Sequence, residues 1–157
     1  MEKAIKEMIS RRAVLHPHCI VCSKSNVQGL NLSFRVCEDG GVEGRFRCGD
    51  AYQGYDGLLH GGVISSILDG AMTNCLFSSG KTAVTAELNV RFLVPVMVDR
   101  EAVVVAREKT SCPPLHVMES EMVQDGRLVA RAKAKFMEVE YVNPILNGKR
   151  NVFYEQC

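Results

Sequence analysis

The stretch from Gln53 to Asp69, QGYDGLLHGGVISSILD, holds the residues best suited to chemistry. His60 precedes Gly61 and Gly62, and an apolar run at helical spacing follows them. Glycines at a helix start let a ligand approach bare backbone N–H groups. The first-turn N–H groups have no partner inside the helix and sit at the positive end of its dipole. Such an array can stabilise an oxyanion. Asp69 is the only acid between Val63 and Phe77. A carboxylate on a largely buried helix is costly unless it is paired or used. Two readings stand side by side: a reactive carboxylate, or a glycine turn and an Asp that hydrogen-bonds a neighbouring element.

A second cluster is His16, His18, Cys19 and Cys22, whose atom types suit tetrahedral zinc. Structural zinc sites usually join two separated ligand pairs, whereas these four fall within seven residues. A packed loop is therefore expected, with no metal. Seven cysteines in a chain with no export signal point to free thiols. Arg127, Arg131, Lys133 and Lys135 recur at period two, as do Arg107 and Lys109. They read as a solvated sheet face. His116 reads as an ordinary surface or packed residue.

Several elements must position these groups. Residues 1–14 form an amphipathic helix by their apolar spacing, and 16–29 a loop. Residues 30–36 and 42–47 alternate and flank Asp39-Gly40-Gly41, the pattern of a hairpin. From residue 63 to 76 a broad apolar stripe leaves a narrow face with Ser66, Asp69 and Thr73, so something wraps this helix. Strands follow at 84–93, 102–109, 115–124 and 128–139, with Pro113-Pro114 and Asp125-Gly126 as breaks. The links are too short for parallel crossovers. The fold class is α+β, an antiparallel curled sheet around one long central helix, in one domain spanning 1–157.

Composition narrows the function. The 157 residues are 46% hydrophobic and 24% charged, with a net charge of +1. No charge excess points to nucleic acid or an acidic membrane surface, and no apolar run approaches the roughly 18 residues of a span. A cytoplasmic enzyme or small-ligand binder is the expected class, because the first residues lack an apolar signal core.

His60-Gly61-Gly62, with Asp69 nine residues after the His, resembles the hotdog-fold acyl-CoA thioesterases of the PaaI-like group. Pro17-His-Cys-Ile-Val-Cys22 followed by Gly29-Leu30 is similar to the N-terminal C-x-x-C…G-L stretch of many members. Arg91-Phe-Leu-Val-Pro95 is similar to the strand after their helix. The resemblance runs from about residue 19 to 139.

This resemblance implies a role for each matching residue. Asp69 is the general base that activates water, or the direct nucleophile. The Gly61 N–H donates to the thioester carbonyl oxygen, and His60 orients the loop or the substrate. Thr73 and Thr85 are candidates to position the attacking water. Arg91 and Gly62 are candidate contacts to CoA. The Asp and the glycine N–H come from different subunits, which implies a homodimer or homotetramer. Many members carry an Asn six residues before the His; Gly54 stands there, and Gln53 is the candidate replacement. Asp56, beside Gly57, reads as turn chemistry. The implied activity is hydrolysis of a medium-chain or aromatic acyl-CoA, with CoA as part of the substrate, no cofactor and no metal. The alternatives are a non-catalytic acyl-CoA-binding hotdog protein and, ranked third, an enoyl-thioester dehydratase or hydratase. The last needs a different His and acid arrangement.

Overall fold

The computed structural model describes residues 1–139. An N-terminal helix α1 (Glu2–Leu15) precedes two short strands, β1 (Phe34–Val36) and β2 (Val42–Arg47). A 3-10 turn at Asp50–Tyr52 leads into the long helix α2 (Gly61–Ser78). Four strands follow: β3 (Ala83–Phe92), β4 (Glu101–Cys112), β5 (Leu115–Gln124) and β6 (Arg127–Glu138). They form one antiparallel sheet in the order β1-β2-β4-β5-β6-β3.

The sheet curls around α2 because its inner face is made of small or flexible residues. Ala102, Val104 and Ala106 of β4, Met118 and Met122 of β5, and Ala130, Ala132, Ala134 and Phe136 of β6 are all buried. Against them pack Ile64, Ile67, Leu68, Ala71, Met72, Cys75 and Leu76 of α2. Alanines at alternate positions let the helix sit close to the strands, and methionines fill the remaining gaps. α1 adds buried Met8 to the same core.

The expected strand at 30–36 is shorter than its alternation suggests. Only Phe34–Val36 pairs with β2. The Leu30 and Leu32 N–H groups donate instead to the Ile20 and Val21 carbonyls at 2.7 and 2.8 Å. Their apolar side chains still face inward, but the backbone partner is the cysteine-bearing loop. Both reversals follow their chemistry: the connection over residues 37–41 has Gly40 at φ 82°, and the two-residue β5–β6 turn has Asp125 at 50° and Gly126 at 74°.

His116 takes the packed alternative, with charged partners. It is fully buried, with Nδ1 2.6 Å from Glu108 Oε1 and Nε2 2.7 Å from Glu138 Oε1. Lys81 Nζ donates to both Glu108 oxygens at 2.8 Å. Each ring nitrogen of His116 thus has a carboxylate within hydrogen-bond distance. Burial raises the Glu108 carboxyl, but the Lys81 and His116 hydrogen bonds outweigh it, so the net shift is downward. A carboxylate with a depressed folded value contributes stability above its unfolded value and loses it as pH falls through the folded one. We expect His116→Ala to lower unfolding stability at neutral pH by about 2–3 kcal/mol, because it empties a fully buried position and takes a partner from Glu108 and Glu138. Denaturant midpoints at pH 7 and through the acid range check both statements. An unchanged midpoint in the variant would contradict the first.

Candidate active site

His60 ends an extended segment at φ −63°, ψ 136° and serves as the N-cap of α2. Its Nδ1 accepts the Gly62 N–H at 2.9 Å, which fixes the ring proton on Nε2. The His60 carbonyl accepts the Val63 and Ile64 N–H groups at 3.0 and 3.1 Å. Among the described residues this leaves the Gly61 N–H as the first-turn donor without a partner. The structure therefore separates the two glycines. Gly61 keeps its donor free, whereas the proposed contact of Gly62 with CoA has no free N–H behind it.

Asp69 lies two turns further along, partly buried, where the edge strand β3 passes α2. Thr85 Oγ1 donates to its Oδ1 at 2.7 Å. Desolvation raises the Asp69 carboxyl above its usual range, opposed in part by the Thr85 hydrogen bond and by the nearby His16. Thr73 does not join this pair. Its hydroxyl donates to the Asp69 backbone carbonyl at 3.1 Å, and its side chain is 7% exposed. A Thr four residues on in a helix bonds back to the preceding turn, and this corrects its water-positioning role.

Gln53 also has a different use. Its Oε1 accepts the Gly57 N–H at 2.9 Å and closes its own loop. A Cβ at Gly54 would lie 3.1 Å from His60 Cδ2. The missing side chain there gives the capping imidazole its room, so neither residue presents an amide in place of the Asn. Asp56 and Gly57 form the loop turn, with Gly57 at φ 72°. Arg91 pairs across from Arg131, so it shares that residue's outer sheet face, away from α2. Strand alternation puts Leu88, Val90 and Phe92 on the inner face with Thr85, opposite buried Ala134, Ala132, Ala130 and Phe136.

Gly61 and Asp69 are eight positions apart on one straight helix, about 12 Å along its axis. One carbonyl cannot touch both. Phe92 marks the Gly61 end of β3: a Cβ on Gly61 would lie 3.5 Å from its ring. Thr85 marks the Asp69 end.

The family model of the thioesterase superfamily matches residues 56–130, from the turn before His60 into β6. That segment is similar to the thioesterase superfamily. Solved structures of the superfamily type extend the likeness. A phenylacetic acid degradation-related protein from Ralstonia eutropha JMP134 is 26% identical, over 69% of this chain and 85% of that one, with a TM-score of 0.64. The Escherichia coli PaaI protein is 19% identical, over 88% of this chain and 94% of that one, with a TM-score of 0.74. A Streptococcus mutans UA159 protein bound to acetyl-CoA is 21% identical, over 69% and 90%, with a TM-score of 0.65. The fold is the hotdog fold of these proteins. No curated protein sequence matches the chain. Among the described residues, no helix is long and apolar enough to cross a membrane.

Proposed function

We propose that this protein is an acyl-CoA thioesterase whose active site forms between two copies of the chain. The observation that carries the reading is the pairing of a free Gly61 N–H with a Thr85-held Asp69 too distant to meet it within one chain. Among the described residues, β3 is a ten-residue edge strand with its outer backbone row open, and Leu88 and Phe92 are exposed beside it. Such an edge is a template for a second strand. An antiparallel, two-fold pairing of β3 centred between Leu88 and Asn89 places the far end of one β3 opposite Thr85 of the other. The Gly61 N–H of the partner subunit then meets the Asp69 carboxylate across the interface.

Asp69 takes a proton from water, and the resulting hydroxide attacks the thioester carbonyl, or else the carboxylate attacks directly and water then hydrolyses the mixed anhydride it forms. The oxyanion is held by the Gly61 N–H and the α2 dipole. The C–S bond breaks, and the CoA sulfur leaves and is protonated. Leu88, Val90 and Phe92 offer an apolar wall to an acyl chain, which supports a medium-chain or aromatic acyl group. A non-catalytic acyl-CoA binder is the second reading, favoured by Gly54 where many members carry an Asn.

The test is release of CoA thiol from a panel of acyl-CoAs, with the mass in solution measured by light scattering. Turnover by a dimer or tetramer is expected. Tight binding without turnover would give the second reading. Thr85→Val keeps the strand and removes the hydroxyl. It is expected to lower kcat about tenfold, the worth of one charge-assisted hydrogen bond, and to move the acid limb of the pH–rate profile upward. An unmoved limb would show that Thr85 does not act on Asp69.

A further inference from the structure

Beside α2, the loop between α1 and β1 brings three soft ligands together. A ring nitrogen of His16 and the sulfurs of Cys19 and Cys22 all lie within 4.8 Å of one another. His18 is not part of the group. The crowding that argued against a metal in the sequence is resolved by the turn, which places ligands at every third residue on one side. His16 sits at the C-cap of α1, with its N–H bonded to the Arg12 carbonyl at 3.0 Å. The Cys19 N–H then bonds to the His16 carbonyl at 3.3 Å, and the Ser23 N–H to the Cys19 carbonyl at 3.1 Å. The loop is pressed onto α2 where Gly70 leaves space, since a Cβ there would lie 2.7 Å from Val21 Cγ1.

Two features of this knuckle suit a metal. His16 Nδ1 is buried with no hydrogen-bond partner, although its ring is fixed edge-on to Phe77 at 5.0 Å. An orphaned buried ring nitrogen needs a partner. The Val21 N–H donates to Cys19 Sγ at 3.4 Å, the kind of outer support that a thiolate ligand receives. We propose that His16, Cys19 and Cys22 form a site for a zinc-class divalent cation, with a fourth position open to water. Zn–S and Zn–N bonds of about 2.3 and 2.0 Å place such ligands about 3.5–3.8 Å apart, a small tightening from the present cluster. Binding as thiolates releases the Cys19 and Cys22 thiol protons to solvent and joins the end of α1, the loop and α2.

The test is titration of the reduced, metal-free full chain with cobalt(II), followed by displacement with zinc. One cobalt per chain is expected, with sulfur-to-cobalt charge-transfer absorption and the intense visible bands of a tetrahedral site. Cys19→Ser and His16→Ala are each expected to weaken cobalt affinity by at least the roughly 10–100-fold typical of disturbed metal sites. Cys112→Ser, at an exposed cysteine, is expected to leave it unchanged. Zinc should raise the unfolding temperature of the wild type and not of Cys19→Ser. Circular dichroism shows whether each variant is folded, and Cys22→Ser serves where Cys19→Ser is not. Absence of cobalt bands in the reduced wild type, or equal bands in folded Cys19→Ser, overturns the proposal. So does a Cys19–Cys22 disulfide that resists reduction and leaves no thiols to bind.

Discussion

Asp69→Asn is expected to abolish thioester hydrolysis, with kcat reduced by about 10²–10⁴, the span of a lost general base. Release of CoA thiol measures it. The substitution is nearly isosteric, and an Asn oxygen still accepts the Thr85 hydroxyl that now bonds Oδ1 at 2.7 Å. Folding should not suffer. Burial holds the Asp69 carboxyl above its ordinary value, so at neutral pH the folded state carries an ionised group that the unfolded state solvates better. Removing that charge is expected to leave the unfolding midpoint equal or higher, so inactivity paired with retained stability is the signature sought. The same raised value sets the pH dependence. Protonated Asp69 neither attacks nor takes a proton, so wild-type turnover falls as pH drops through it, at a higher pH than for an exposed Asp. Hydrolysis that persists in folded Asp69→Asn would remove this residue from the mechanism.

Gly61→Pro is expected to reduce kcat by about 10²–10³, the usual effect of losing one oxyanion donor. The position tolerates proline for local reasons. Gly61 is the first residue of α2, where proline is favoured and no intrahelical bond is lost. His60 already has the extended backbone, ψ 136°, that a residue before proline adopts. The variant therefore removes one N–H and little else. Gly61→Ala is the control, since it keeps the N–H and its Cβ would meet Phe92 at an ordinary 3.5 Å. Equal kcat values for Ala and Pro would show that this N–H plays no part.

Local pattern carried most of this architecture. The period-two runs gave β2 to β6, and the broad apolar stripe gave α2, because those signals depend on which face each residue buries. Backbone partners are not encoded that way. The alternation through Leu30 and Leu32 was legible, but its pairing with the Ile20–Val21 backbone was not. At the site, Asp69, Gly61 and Thr85 were named from the motif; the structure shows a Thr85–Asp69 hydrogen bond and, among the described residues, a Gly61 N–H without a partner. Thr73, Gln53 and Gly62 each place a hydrogen-bonding group on a local partner and Arg91 lies on the outer sheet face, details that depend on one-residue differences of loop and register. The two carboxylate partners of His116 were missed because Glu108 and Glu138 come from other strands.

The length of α2 between Gly61 and Asp69 has a consequence in the language of alleles. If each site draws its donor from one copy and its carboxylate from the other, Gly61→Pro and Asp69→Asn are defects in different halves of the same site. Two inactive chains, co-expressed, should complement. A mixed dimer holds one site with both defects and one with neither. Random pairing makes about half of all dimers mixed, so about a quarter of wild-type activity should return. Either variant alone stays silent, and a chain carrying both substitutions rescues neither partner.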